Sequence, residues 1–127
     1  MLSTLLCKVN NPVIEYQNMM LRTTQQRKVL CASCPVARVA DLLGDSCSIL
    51  IVRDLLERPH RFGELQDSLT GVSSRTLTKK LKFLEHEGLI RRRKTARPSS
   101  SHYELSKKGE AFSSVVEAMR SYGKKYL

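Results

Sequence analysis

The stretch Gly63–Gly88, GELQDSLTGVSSRTLTKKLKFLEHEG, decides how the rest of this chain is read. It opens with Leu65 and Leu69 four residues apart, which is the spacing of one helix face, so a short helix over Gly63 to Leu69 is expected. Thr70-Gly71-Val72 then breaks the pattern, because glycine takes the positive φ of a tight turn that other residues resist. Ser73 follows the turn, and its side-chain oxygen is suited to accept from the first free N–H groups of a new helix. Leu77, Leu81 and Leu84 recur at helical spacing up to Gly88, where the helix is expected to stop near Glu87. The positions between them are polar and basic. A short helix, a glycine turn and a longer helix with a cationic outer face form a helix-turn-helix pattern. In such a unit the second helix protrudes far enough to enter the major groove of a duplex.

Downstream, Leu89-Ile90 with Arg91 to Thr95 reads as a strand and His102–Leu105 as another, with turn-forming residues from Ala96 to Ser101 between them. A basic hairpin after a helix-turn-helix makes a winged helix. Ser106 is placed to cap one final helix, along which Phe112, Val115, Met119, Tyr122 and Tyr126 are spaced alternately three and four apart. That seam suits pairing with a second copy, or packing on the helix's own domain. Upstream, Pro35 opens a helix that runs to about Gly44, and a largely buried helix covers about Ser46 to Glu57 before Pro59. His60-Arg61-Phe62 is expected to be extended. The fold class is mainly α with a small β-hairpin, a winged helix-turn-helix with N- and C-terminal dimerisation helices.

Residues 1–33 read as an extension, helical over roughly Pro12 to Leu30, ahead of a domain spanning 34–127.

The charge agrees with this reading. The chain of 127 residues is 41% hydrophobic, enough for one modest core, and its 22 Lys and Arg exceed its 12 Asp and Glu to give a formal +10. The excess is local: Arg75, Lys79, Lys80, Lys82, Arg91, Arg92, Arg93, Lys94, Arg97, Lys107 and Lys108 meet only Glu85, Glu87 and Glu104. A polyanionic partner is favoured. No apolar run approaches the ~18 residues of a membrane helix, and Met1–Leu6 is too short for a secretory signal, so a cytoplasmic protein is expected with no membrane partner.

At the start of the second helix, Ser73, Ser74, Arg75, Thr76, Thr78 and Lys79 are the candidate base-facing residues. Arg75 leads, since a guanidinium can pair bidentately with guanine O6 and N7. Lys79, Lys80 and Lys82 are suited to phosphates, supplying affinity rather than sequence choice. In the wing, Arg91, Arg92 and Arg93 must alternate faces, while Arg93, Lys94 and Arg97 are the candidates to reach DNA. A solvated strand edge would account for the same run.

Chemistry of other kinds is not indicated. His60, His86 and His102 lack metalloprotease spacing, Glu85 and Glu87 point to different helix faces, and no phosphate loop or nucleophile elbow is present. No enzyme activity, cofactor or metal is expected. The cysteines Cys7, Cys31, Cys34 and Cys47 all lie in the first half and make an unconvincing disulfide framework. Cys31 and Cys34 form a lone Cys-x-x-Cys pair that would need two more ligands to hold zinc. Cys34 itself stands at a helix start, a position where the helix dipole favours an anion. Cys47 reads as core.

Over roughly Cys34 to Tyr126 the sequence resembles the HxlR family of winged-helix regulators, relatives of the MarR-like group. The matching stretches are Cys34-Pro35-Val36, Arg61-Phe62-Gly63-Glu64-Leu65, Gly71-Val72-Ser73 with Leu77-Thr78, Leu81 and Leu84-Glu85, Gly88-Leu89-Ile90, and Tyr103-Glu104-Leu105-Ser106 with Gly109. The chain departs from that pattern at Cys47, where family members usually carry a Trp soon after the Leu-Gly stretch. The segment before Cys34 is also longer than usual, through a true extension or an initiation at Met19 or Met20. The resemblance implies a dimeric regulator that binds duplex DNA at an inverted repeat, with the wing near the backbone or minor groove. It also implies that Cys34 is a candidate sensor of electrophiles or oxidants. A winged helix used only for protein interaction is the alternative.

Overall fold

The computed structural model describes residues 34–97 and 101–127, so the expected helix over 12–30 lies outside the described residues. The chain divides into two units between Asp45 and Ser46. In the first, α1 (Pro35–Leu43) starts with proline in its first turn, where the missing N–H is no loss, and Cys34 stands at its N-cap.

The second unit contains α2 (Ser46–Glu57), α3 (Phe62–Ser68), α4 (Ser74–His86), the strands β1 (Ile90–Arg93) and β2 (His102–Leu105), and then α5 (Lys107–Glu110) and α6 (Ser113–Tyr126). Its core is built from the helical and strand periodicities read in the sequence. Ile51, Val52 and Leu55 of α2, Leu65 of α3, Leu77, Leu81 and Leu84 of α4, and Leu89, Ile90 and Leu105 at the root of the hairpin are buried together with Val116. Burying each such side chain stabilises the fold by about 1.5–3 kcal/mol. The expected burial of Cys47 is also observed.

The strands pair antiparallel, with Ile90 opposite Leu105, Arg91 opposite Glu104, Arg92 opposite Tyr103 and Arg93 opposite His102. The extended residue His60 adds an isolated antiparallel bridge to Tyr103: its N–H donates to the Tyr103 carbonyl at 3.1 Å and its carbonyl accepts from Tyr103 N–H at 2.8 Å. The wing thus has a third, one-residue strand.

The chain after Ser106 differs from the single helix that the sequence suggests. Ser106 Oγ accepts from Gly109 N–H at 3.2 Å, as a cap should, but the first helix ends at Glu110. There the Phe112 amide donates to Gly109, three residues back, so the turn tightens and α6 starts afresh at Ser113. Gly109 fixes this junction because a Cβ there would collide with the Leu89 carbonyl and lie 2.8 Å from Leu105 Cδ2. Strand β1 is also shorter than expected, since Leu89 turns its N–H back to the Leu84 carbonyl at 3.0 Å and, among the described residues, no pairing continues past Arg93.

Candidate nucleic-acid interface

The turn between α3 and α4 is made by Gly71, whose φ of 90° lies in the region that favours glycine. Ser73 then caps α4: its Oγ accepts from Thr76 N–H at 3.1 Å and donates to Thr76 Oγ1 at 3.0 Å. Gln66 Nε2 donates to Ser74 Oγ at 2.6 Å, which ties α3 to the first turn of α4. Thr78 Oγ1 donates back to the Ser74 carbonyl at 2.7 Å. All four of the candidate hydroxyls, Ser73, Ser74, Thr76 and Thr78, therefore have structural partners, and they set the angle and start of the helix.

Arg75, Thr76, Lys79 and Lys82 are exposed on α4. Among the described residues, Arg75, Lys79 and Lys82 have no ion-pair partner. Their side of the helix is opposite the buried Leu77, Leu81 and Leu84, so the cationic surface points away from the core. At the other end of α4, the hydroxyl of Ser106 donates to the carbonyls of Gly88 at 2.6 Å and Leu89 at 3.1 Å, and Lys108 Nζ donates to that of Glu87 at 3.0 Å. These bonds take up carbonyls of the turn that follows the helix.

The three wing arginines alternate as strand geometry requires. Arg92 lies with its guanidinium carbon 6.0 Å from the Tyr103 ring centroid and donates to Ser101 Oγ at 3.3 Å. Arg91 and Arg93 share the opposite face with Glu104, at 3.8 and 2.6 Å. The Arg93 guanidinium beside Glu104 holds its carboxyl below the ordinary value of 4.5. Arg93, expected from the sequence as a free DNA contact, is thus held by an internal partner. Lys94 and Arg97 follow the strand and are exposed. Sequence pattern gave neither Glu104 nor Gln66 a part in the site, although the hairpin register sets Glu104 opposite Arg91.

Elsewhere, Cys34 is a half-buried free thiol at the N-cap of α1. On α6 the stripe of Val115, Met119, Tyr122 and Tyr126 is 40–62% exposed, with Phe112 half-buried at its start. The Tyr122 and Tyr126 rings stack at 4.9 Å. Among the described residues no helix is long and apolar enough to cross a membrane.

Residues 42–127 match the model of the HxlR-like helix-turn-helix family. The chain belongs to that family. As an HxlR-like protein it is 38% identical over 95 residues to sll1512 of Synechocystis sp., an uncharacterised HTH-type transcriptional regulator, covering 74% of this chain and 70% of the relative. It is 30% identical over 95 residues to the HTH-type transcriptional regulator YodB of Bacillus subtilis, covering 73% and 85%. The crystal structure of reduced YodB superposes with a TM-score of 0.65 at 28% identity, over 73% of this chain and 93% of that one. A candidate MarR-family regulator from Porphyromonas gingivalis gives 0.70 at 28%, over 75% and 94%. These HxlR- and MarR-like relatives are named as transcriptional regulators, not enzymes, and their winged-helix fold agrees with that of residues 46–127.

Proposed function

We propose that this HxlR-like protein is a transcriptional regulator that binds duplex DNA sequence-specifically, as a homodimer on an inverted repeat, in the cytoplasm. Residues 34–127 form the binding and dimerisation module in this reading, and 1–33 an appendage. The observation that carries it is the exposed basic face of α4, held clear of the core behind the Gly71 turn. Arg75 reads bases, with Ser73, Ser74, Thr76 and Thr78 at the same end of the helix. Lys79 and Lys82 neutralise phosphates, and Arg93, Lys94 and Arg97 bring the wing to the backbone. The apolar stripe Phe112, Val115, Met119, Tyr122 and Tyr126 supports pairing of two copies through α6.

Fluorescence titration of a duplex selected by the protein from a random pool, and of the pool itself, tests the assignment. Arg75→Ala should lose about 1–3 kcal/mol of discrimination, as expected for one bidentate base contact. Unchanged discrimination would remove Arg75 from base reading.

Cys34 is assigned a sensing role that alters the DNA-bound state. Its support is the half-buried free thiol at the start of α1 together with the likeness to YodB, a regulator whose structures include reduced and quinone-bound forms. Diamide or a quinone should weaken DNA binding by the native protein and leave Cys34→Ser unaffected. An equal response in both would exclude Cys34.

A further inference from the structure

Glu104 is the one carboxylate in the two strands of the wing, and it is surrounded by basic side chains. Arg91 lies directly across the ladder, Arg93 lies diagonally, and His102 is two residues along the same strand. Their nitrogens are 3.8, 2.6 and 4.0 Å from its carboxylate oxygens. All four side chains occupy the strand face opposite that of the buried Ile90 and Leu105. Glu104 is more enclosed than its partners: its side chain is 22% exposed, against 59% for Arg91 and 61% for Arg93. The arginines therefore reach in to the carboxylate, and solvent surrounds them on the other side.

A guanidinium already bound to a carboxylate must exchange that partner before it can neutralise a phosphate. The group of Arg91, Arg93 and Glu104 also presents one net positive charge where the two arginines alone would present two. Sequence-independent attraction to DNA depends on the number of phosphates neutralised and their counterions released, so such a group contributes less to it than its arginines suggest. On the outer face of α4, Arg75, Lys79 and Lys82 have no such restraint among the described residues.

We propose that Glu104 is a specificity-determining residue, an internal counter-charge that competes with DNA phosphates for Arg93 and Arg91 and leaves the choice of site to α4. This rests on the DNA-binding reading above. A random-sequence fluorescent duplex, titrated with the full chain over a range of salt, is the probe. Glu104→Gln keeps the size of the side chain and removes its charge. It should raise low-salt affinity roughly three- to tenfold and steepen the slope of log affinity against log salt by about 0.9, the value for one further phosphate neutralised. The preference for a duplex selected by the native chain over the random pool should fall in parallel.

In an Arg93→Gln background the same Glu104 substitution should have less than half its effect. A Glu104→Gln protein with native slope and native affinity overturns the proposal, as does an effect undiminished by Arg93→Gln. A folding defect would lower affinity in both backgrounds, the opposite of the expected change, and would also overturn it. Failure of the unsubstituted chain to bind any duplex defeats the DNA-binding reading itself, and the role of Glu104 with it. Failure confined to the variants defeats the Glu104 role alone.

Discussion

On α4, Arg75, Lys79 and Lys82 stand exposed with no carboxylate at ion-pair distance among the described residues, whereas on the hairpin Arg91 and Arg93 share Glu104 and Arg92 lies over Tyr103. Both regions are rich in basic residues. They differ because a helix brings together residues three and four apart, while a hairpin brings together residues far apart in the chain. Arg93 and Glu104 are eleven positions apart and form a 2.6 Å contact. Counting charges along a chain therefore measures how much cation is present, but not how much is available to a partner.

The largest effect should come from removing the support that both regions share. Leu77 is fully buried on the inner face of α4, and Leu77→Ala should cost about 2–5 kcal/mol in urea unfolding, with DNA binding lost from helix and wing together. Ser73→Ala acts on the helix alone. Losing its cap should cost about 1 kcal/mol and weaken binding to every duplex by fraying the first turn, while the wing contacts of Glu104 persist.

Charge removal gives the most direct comparison. Lys79→Gln should flatten the salt slope of DNA binding by about 0.9, whereas Arg93→Gln, already opposed by Glu104, should flatten it by less than half as much. Equal changes would mean that the ion pair in the wing does not attenuate its charge.

The smallest effect concerns acid. Arg93 holds the Glu104 carboxyl, and Arg58 the Glu64 carboxyl, below the ordinary value of 4.5. A carboxylate with a depressed folded-state value stabilises the fold above that ordinary value, and the contribution disappears as pH falls through the lowered one. Melting temperature should therefore decline below about pH 4.5 less steeply in a Glu64→Gln, Glu104→Gln protein than in the native one. Parallel declines would show that these exposed pairs add nothing to stability.

Much of this arrangement was legible in the sequence. The limits of α2 and β2 agree with the apolar spacing and turn signals, and α4 begins behind the Ser73 cap and ends beside Glu87. Helix α3 is shifted by one residue, from Phe62 to Ser68, because two apolar positions four apart define a face better than they define an end. The break between α5 and α6 was not legible, since the closeness of Gly109 to the Leu89 carbonyl arises only when the hairpin and the last helices fold together. The same is true of the candidate site. Exposure of Arg75 and Lys79 follows from helical period, but the partners of Arg93 and Ser74 depend on which strand or helix lies alongside.

The paired hydrogen bonds between His60 and Tyr103 have a consequence for how relatives of this chain can vary in length. Only Arg58–Arg61 separates α2 from α3, and within it the buried His60 also places Nδ1 2.7 Å from the Arg58 carbonyl. One added or deleted residue there would put the wrong backbone groups against the wing and turn the imidazole out of its pocket. Insertions and deletions should therefore be rare in that connector across homologous sequences, however freely its side chains are exchanged.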